Sequence, residues 1–222
     1  MNNLKIKMSR SVMACLIVVA ILLVDQTIKI WVKTHMAIGE DIKIADWFYI
    51  SFVENNGMAY GITFINKLAL SLLRIVAVCF IGVYIHRLAK RKASWGYIAC
   101  LSMVMAGAAG NIFDSLFYGL CFSESNFYSV ASYVGFGNGY ASFLMGKVVD
   151  MFYFPIIRTT YPSWVPFKAG EPFIFFSPIF NFADACISVG VVALLLFFRN
   201  QLSQLSFSKD IMKKDGDEKN RK

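Results

Sequence analysis

The chain has 222 residues, a net charge of +8 and a hydrophobic fraction of 57%, with only 16% charged residues. That apolar share exceeds the usual one for soluble chains and needs a non-aqueous solvent, of which lipid is the obvious one. A nucleic-acid groove is excluded by distribution: the basic residues fall in short runs beside apolar stretches, as in loops held at an anionic membrane face.

Four stretches are predicted to span a bilayer, at roughly 12–32, 68–85, 95–113 and 178–198, each about the 20 residues a helix needs. The first has a basic start, but Cys15 comes before its apolar run and no small-residue cleavage site follows Val24, so an uncleaved helix is expected rather than a signal peptide. Between the first two spans, residues 42–53 mix β-branched and aromatic side chains and predict a short strand or two. The turn signal Asn55-Asn56-Gly57 follows. Residues 121–146 are rich in Ser, Gly and aromatics. All five prolines (Pro155, Pro162, Pro166, Pro172, Pro178) lie in 151–180, an aromatic segment expected at headgroup level. The basic runs at the N-terminus, at 86–92 and after residue 199 predict an N-in, C-in bundle with outer segments 33–67 and 115–177. Residues 1–200 form one membrane-embedded domain in this reading, and 201–222 a charged cytoplasmic tail.

Each apolar stretch contains or borders polar groups: Asp25 and Lys29, Arg74, Asn111 and Asp114, Asn181 and Asp184. Ionisable groups inside a membrane are costly, so they point to function by default. With the predicted orientation, all four sets fall at the outer end of the bundle. Each also has a structural reading. Asp25 and Lys29 are spaced i, i+4 with the acid first and can simply neutralise each other. Arg74 can snorkel to headgroups. Asn111 and Asp114 can brace a helix end as well as serve a site.

The chemistry is narrowed by what accompanies these acids. There are two histidines, His35 and His86, predicted on opposite sides of the membrane, and no GxSxG, HExxH or CxxC pattern. A Ser–His hydrolase, a zinc protease and a disulfide framework are disfavoured. Asp150 stands in the apolar run 148–154, and Asp184 at the entrance of the last helix. Two carboxylates near one level can share a proton, the arrangement of aspartic proteases. A proton-coupled carrier is the rival. It requires acids spread over the membrane depth, whereas these cluster at one side. A scaffold protein packing through the small residues 106–110 is a second alternative.

Five blocks then carry a resemblance: VDQTIK at 24–29, NNGMAYG at 55–61, GAAGNIFD at 107–114, KVVDMFYF at 147–154 and FNFADACISVG at 180–190. In this order they resemble the lipoprotein signal peptidases, the type II signal peptidases of bacteria, over about residues 12–198. The resemblance implies an all-α membrane protein with four transmembrane helices, a small β-containing region and a long outer loop, in the inner membrane with its site toward the periplasm. It implies the catalytic pair Asp150 and Asp184, supported by Asn55, Gly57, Asn111, Asp114, Asn181, Asp25 and Lys29. The implied substrate is a diacylglyceryl-modified prolipoprotein, cut just before the lipidated cysteine. Membrane lipids are the other partner. No metal or organic cofactor is implied, a monomer is expected, and globomycin-type cyclic peptides are the expected inhibitors. The chain departs from the family pattern at Ser115, where an arginine usually follows the aspartate. Arg74 or Arg158 is the expected substitute charge. The long outer loop is expected to shape substrate access rather than chemistry.

Overall fold

The computed structural model describes residues 8–56 and 67–203. Helix α1 spans Arg10–His35 and is capped by Ser9, whose side chain accepts from the Val12 amide. A hairpin follows, β1 (Asp41–Ala45) and β2 (Phe48–Asn55), so both strands expected within 42–53 form. Then come α2 (Lys67–Lys90) and α3 (Trp95–Phe113). The third helix does not stop at its apolar end. It runs on through a π-helical turn at Asp114–Tyr118 and a last α-turn, α4 (Gly119–Cys121). Strands β3 (Val148–Tyr153), β4 (Ile157–Thr160), β5 (Pro172–Phe175) and β6 (Ile179–Phe180) precede α5 (Phe182–Phe197) and the short α6 (Arg199–Ser203).

Among the described residues, three helical runs are long and apolar enough to cross a membrane: Arg10–His35, Lys67–Lys90 and Trp95–Cys121; Phe182–Phe197 is apolar but shorter. At about 1.5 Å per residue its 16 residues reach about 24 Å, under the hydrocarbon thickness of about 30 Å. The expected start of this fourth helix at 178 is corrected to 182. Residues 179–180 pair with β3, and Asn181 takes the N-cap with a reciprocal capping box to Asp184, which fixes the first helical turn at Phe182.

Helix α3 is the hub, packed on α5, α1 and α2. Its small residues permit this. A Cβ on Gly107 would overlap the Ala183 carbonyl oxygen, and one on Gly110 would sit 2.6 Å from Asp25 Oδ2. The run 106–110 therefore works as helix packing within one bundle. The outer surface of the bundle is apolar and exposed, with Leu16, Leu23, Leu73, Phe80, Val189 and Leu195 facing outward, as lipid-facing helices require.

The main sheet has the order β1-β2-β3-β6, and β4-β5 form a separate ribbon. All pairings are antiparallel. Alternation along β3 separates two tasks. Val149 and Met151 enter a fully buried core with Val32, Met36, Phe52, Tyr118 and Phe122. Asp150 points to the other face, toward the ends of α3 and α5.

Candidate active site

The two aspartates reach one place from different elements. Asp150 comes from β3, where it pairs in register with Val53, and is 4% exposed. Asp184 is the N3 residue of α5 and is half-buried. Two asparagines link them. Asn181 Nδ2 donates to Asp150 Oδ1 at 2.6 Å and to Asn111 Oδ1 at 3.1 Å, and Asn111 Nδ2 donates to Asp184 Oδ1 at 2.8 Å. From the sheet side, Asn55 Nδ2 donates to Asp150 Oδ2 at 3.1 Å. Burial first, and the Asp184 charge second, push the Asp150 carboxyl up to about 7, against the hydrogen bonds from Asn55 and Asn181.

The direction of these amides is dictated by chemistry. Lys29 Nζ contacts Asn111 Oδ1 at 2.8 Å. An ammonium can only donate, so the Asn111 oxygen must face it and the amide NH₂ must face Asp184. Asn181 is fixed likewise: its Oδ1 accepts the Asp184 backbone N–H at 2.9 Å, which leaves its NH₂ for Asp150 and Asn111. Lys29 at one point and the Asp184 backbone N–H at another thus agree on the polarity of a chain of hydrogen bonds that ends on both aspartates.

Lys29 is itself held by two carboxylates, Asp25 at 3.1 Å and Asp114 at 2.9 Å, all three fully buried. The i, i+4 pair expected on α1 is present, and Asp114 completes it as a third member. Each acid then binds a second element. Asp25 Oδ1 accepts the Ala183 N–H at 3.0 Å, capping a free donor in the first turn of α5. Asp114 Oδ2 accepts the Val149 N–H at 3.3 Å, which pins β3 beside Asp150. Of the two readings open for Asn111 and Asp114, Asn111 touches Asp184 directly, while Asp114 acts through Lys29 and β3.

A family profile described as "Signal peptidase (SPase) II" matches residues 17–199. The chain belongs to the signal peptidase II family. The protein named lipoprotein signal peptidase in Porphyromonas gingivalis is 50% identical over 190 residues, covering 85% of this chain and 84% of its own length. Its counterpart in Amoebophilus asiaticus is 34% identical over 192 residues, covering 82% and 75%. The fold is also that of two solved structures described as bacterial membrane enzymes, both 22% identical. One has a TM-score of 0.55 and covers 89% of this chain and 92% of its own; the other has 0.53, with 87% and 93%.

In this family member each of the five motif blocks supplies a residue to the network around the aspartates, the 24–29 block through the contact of Lys29 with Asn111. In the block at 55–61, only Asn55 and Asn56 belong to the described residues, and Gly57 lies outside them. At the departure, Ser115 is buried inside the π-helical turn, its hydroxyl donating to the Asn111 carbonyl at 3.1 Å. The Gly146 amide donates to the Ser115 carbonyl at 3.0 Å, and a Cβ on Gly146 would overlap the Asp114 carbonyl oxygen. Close backbone packing thus occupies the neighbourhood of the expected arginine. Arg74 is partly buried in α2 and is attracted by Asp184, Asp150 and Asp114, in that order. The acids that act on it are therefore the site's carboxylates, while Lys67 also feels its charge. Arg158 lies elsewhere, over the Tyr49 and Tyr153 rings.

Some polar residues of the site were not singled out by sequence reasoning. Gln26 Nε2 donates to Asp114 Oδ1 at 2.9 Å and to Asp25 Oδ2 at 3.1 Å, while its Oε1 accepts from Tyr118 at 3.0 Å. One turn beyond Lys29, Lys33 is fully buried against Glu54 and Ser125. Lys147 approaches Glu54 Oε2 at 3.5 Å. This second polar cluster ties α1 to β2, next to Asn55, and to both ends of the loop that leads into β3. Its signal was the spacing: Asp25, Lys29 and Lys33 form one charged i, i+4 stripe on an apolar helix. An apolar groove of about 470 Å³ on the α1–α3 side, lined by Ile30, Phe113, Phe117, Tyr118 and neighbours, contains neither aspartate.

Proposed function

We propose that the chain is a membrane-embedded aspartic endopeptidase that removes the signal peptide from diacylglyceryl-modified prolipoproteins, cutting before the lipidated cysteine. The observation that carries this reading is the chain Asp150–Asn181–Asn111–Asp184. It holds two carboxylates near each other with unequal surroundings. Asp150, buried on the sheet, carries the proton. Asp184, in the first turn of α5 where a helix favours negative charge, is the ionised partner.

In this mechanism Asp184 takes a proton from a water molecule as its oxygen attacks the scissile carbonyl carbon. Asp150 donates its proton to the carbonyl oxygen, giving a neutral gem-diol. Collapse breaks the C–N bond; Asp184 protonates the leaving nitrogen and Asp150 recovers its proton from the gem-diol hydroxyl. Asn111 and Asn181 hold the two carboxylates, Asn55 holds Asp150 from the sheet side, and Lys29 orients Asn111. Arg74 supplies the positive field that the family pattern places after the GNxxD aspartate.

The bundle crosses the inner membrane four times, N-in and C-in, with α5 as its short fourth span and the aspartates at the periplasmic end. Residues 1–200 act as one domain and as a monomer, with 201–222 a cytoplasmic tail. The loop between α4 and β3 governs substrate access, and globomycin-type peptides inhibit. A lipidated substrate stays in the membrane, so a site fixed at the outer surface meets its cleavage point with little search.

The test is cleavage of a diacylglyceryl-modified prolipoprotein by purified protein, read by mass spectrometry, with Asp150→Asn and Asp184→Asn checked for folding. Cleavage before the lipidated cysteine by the parent and its loss in both variants is the expected result. Near-parental turnover in either folded variant removes that aspartate from the mechanism.

A further inference from the structure

The ribbon β4–β5 stands between the two aspartates in sequence and is absorbed by neither the site nor the main sheet. Its register pairs Ile157 with Phe175, Arg158 with Ile174, Thr159 with Phe173 and Thr160 with Pro172. Directly opposed residues share a face. One face therefore holds Arg158 and Ile174, and Arg158 leans on the main sheet, 4.8 Å from the Tyr49 ring centroid and 6.0 Å from that of Tyr153. The other holds Ile157, Thr159, Phe173 and Phe175.

That second face continues into an aromatic tip. Ile157 and Phe175 are about half exposed, Trp164 is 79% exposed and Phe167 is completely so. Phe167 also adopts a left-handed backbone, φ 65°, which a bulky residue enters only at a cost. Its ring makes no compensating ring contact among the described residues. A two-stranded ribbon is marginally stable by itself in water. This one exposes its apolar side and holds a strained, uncovered phenylalanine at its tip. It therefore needs a surface to lie on.

We infer that this ribbon is an interfacial anchor: its Ile157–Phe175 face and its Trp164–Phe167 tip insert into the outer leaflet at headgroup depth. Three observations select lipid. The ribbon ends a few residues before α5, whose Val189, Val192 and Leu195 are exposed as a lipid-facing row, so it is tethered to a helix that faces lipid. Tryptophan and tyrosine gather at that depth, and the tip has Trp164 with Tyr161 packed on Phe173. The ribbon's charged residues are Arg158, Lys168 and Glu171, a net cation suited to anionic headgroups, with Lys168 over the Tyr161 ring. Anchored there, the ribbon sets the height of β3, and so of Asp150, above the bilayer.

The experiment places a nitroxide at Phe167→Cys in a variant lacking the five native cysteines, reconstituted in nanodiscs of phosphatidylethanolamine and phosphatidylglycerol. Collision with oxygen is compared with collision with a water-soluble nickel chelate. Labels at Leu23→Cys and Asp46→Cys give the lipid and water references. The anchor predicts that position 167 favours oxygen as position 23 does. A label as open to nickel as position 46 overturns it. One shielded from both reagents also overturns it, because the tip would then rest on protein, such as a second copy. Should the cysteine-free variant not fold, quenching of the native protein by bromolipid is compared with that of Trp164→Phe. The anchor predicts loss of a quenchable component, and unchanged quenching overturns it.

Discussion

Asn55 offers the most direct test of how the two aspartates divide their roles. Its amide donates to Asp150 Oδ2 at 3.1 Å, and this bond favours the ionised carboxylate, opposing burial and the Asp184 charge. Asn55→Leu keeps the size and removes the donor. A hydrogen bond to a charged group contributes about 1.5–3 kcal/mol, and about 1.4 kcal/mol corresponds to one pH unit. The Asp150 carboxyl, already raised to about 7, should rise by a further 1–2 units, roughly.

The proposed mechanism needs Asp150 protonated, so kcat/KM should fall as pH rises through its titration. The parent's alkaline limb is expected near pH 7, and that of Asn55→Leu about 1–2 units higher. Turnover at the optimum should fall, because the carboxyl is also held less firmly. The assay is a quenched fluorescent lipopeptide followed across the pH range, since the limbs of kcat/KM report the free enzyme. An unmoved alkaline limb, or one displaced to lower pH, would refute the assignment of the proton to Asp150.

Asp150→Asn should make the protein more stable above neutral pH while abolishing cleavage. A raised folded-state value contributes stability that is complete below the ordinary 3.8 and lost as pH climbs to about 7, an upper bound of about 4 kcal/mol. Melting of parent and variant in detergent at pH values near 4 and near 8 checks the sign: the gap should open only at the higher pH. Lys33→Met should destabilise by up to about 3–5 kcal/mol, because Glu54 keeps only the longer Lys147 contact and the Ser125 hydroxyl, and Lys33→Met with Glu54→Leu should recover most of it; a double variant as unstable as the single removes the pairing argument. Arg74→Ala should lower kcat about tenfold, or about 1.4 kcal/mol of transition-state stabilisation. Arg158→Ala should leave it near parental, and the opposite ranking reassigns the substitute charge.

Legibility in the sequence followed the range of the interactions. The helices were readable because lipid demands long apolar runs, and β1 and β2 because their residues favour strands. The start of α5 was misplaced by four residues, since the apolar run does not reveal that Ile179 and Phe180 pair with β3. Asp150 and Asp184 were chosen through the motif blocks; periodicity alone would not have separated them from Asp25 or Asp114. Nothing local shows that Asn111 and Asn181 bridge the aspartates, because the contact joins residues 70 apart in sequence. Lys33 and Glu54 were missed for the same reason, although the stripe Asp25–Lys29–Lys33 was visible on one helix face.

That stripe also explains why so costly a set of charges is kept. Replacing a buried ionic cluster with apolar residues often costs little stability, so the triad Asp25–Lys29–Asp114 needs another justification. An apolar residue at position 29 could fill the volume, but it would withdraw the cation that, together with the Asn181 amide, holds the Asn111 oxygen away from Asp184. With the amide reversed, the Asn111 oxygen would confront Asp184, and the hydrogen-bond chain from Asn181 would lose its acceptor. The carboxylates that hold Lys29 also grip the Ala183 and Val149 amides, the backbones leading to Asp184 and Asp150. The cluster therefore fixes the position of both aspartates and, with Asn181, the polarity of the bridge between them, which packing alone cannot do.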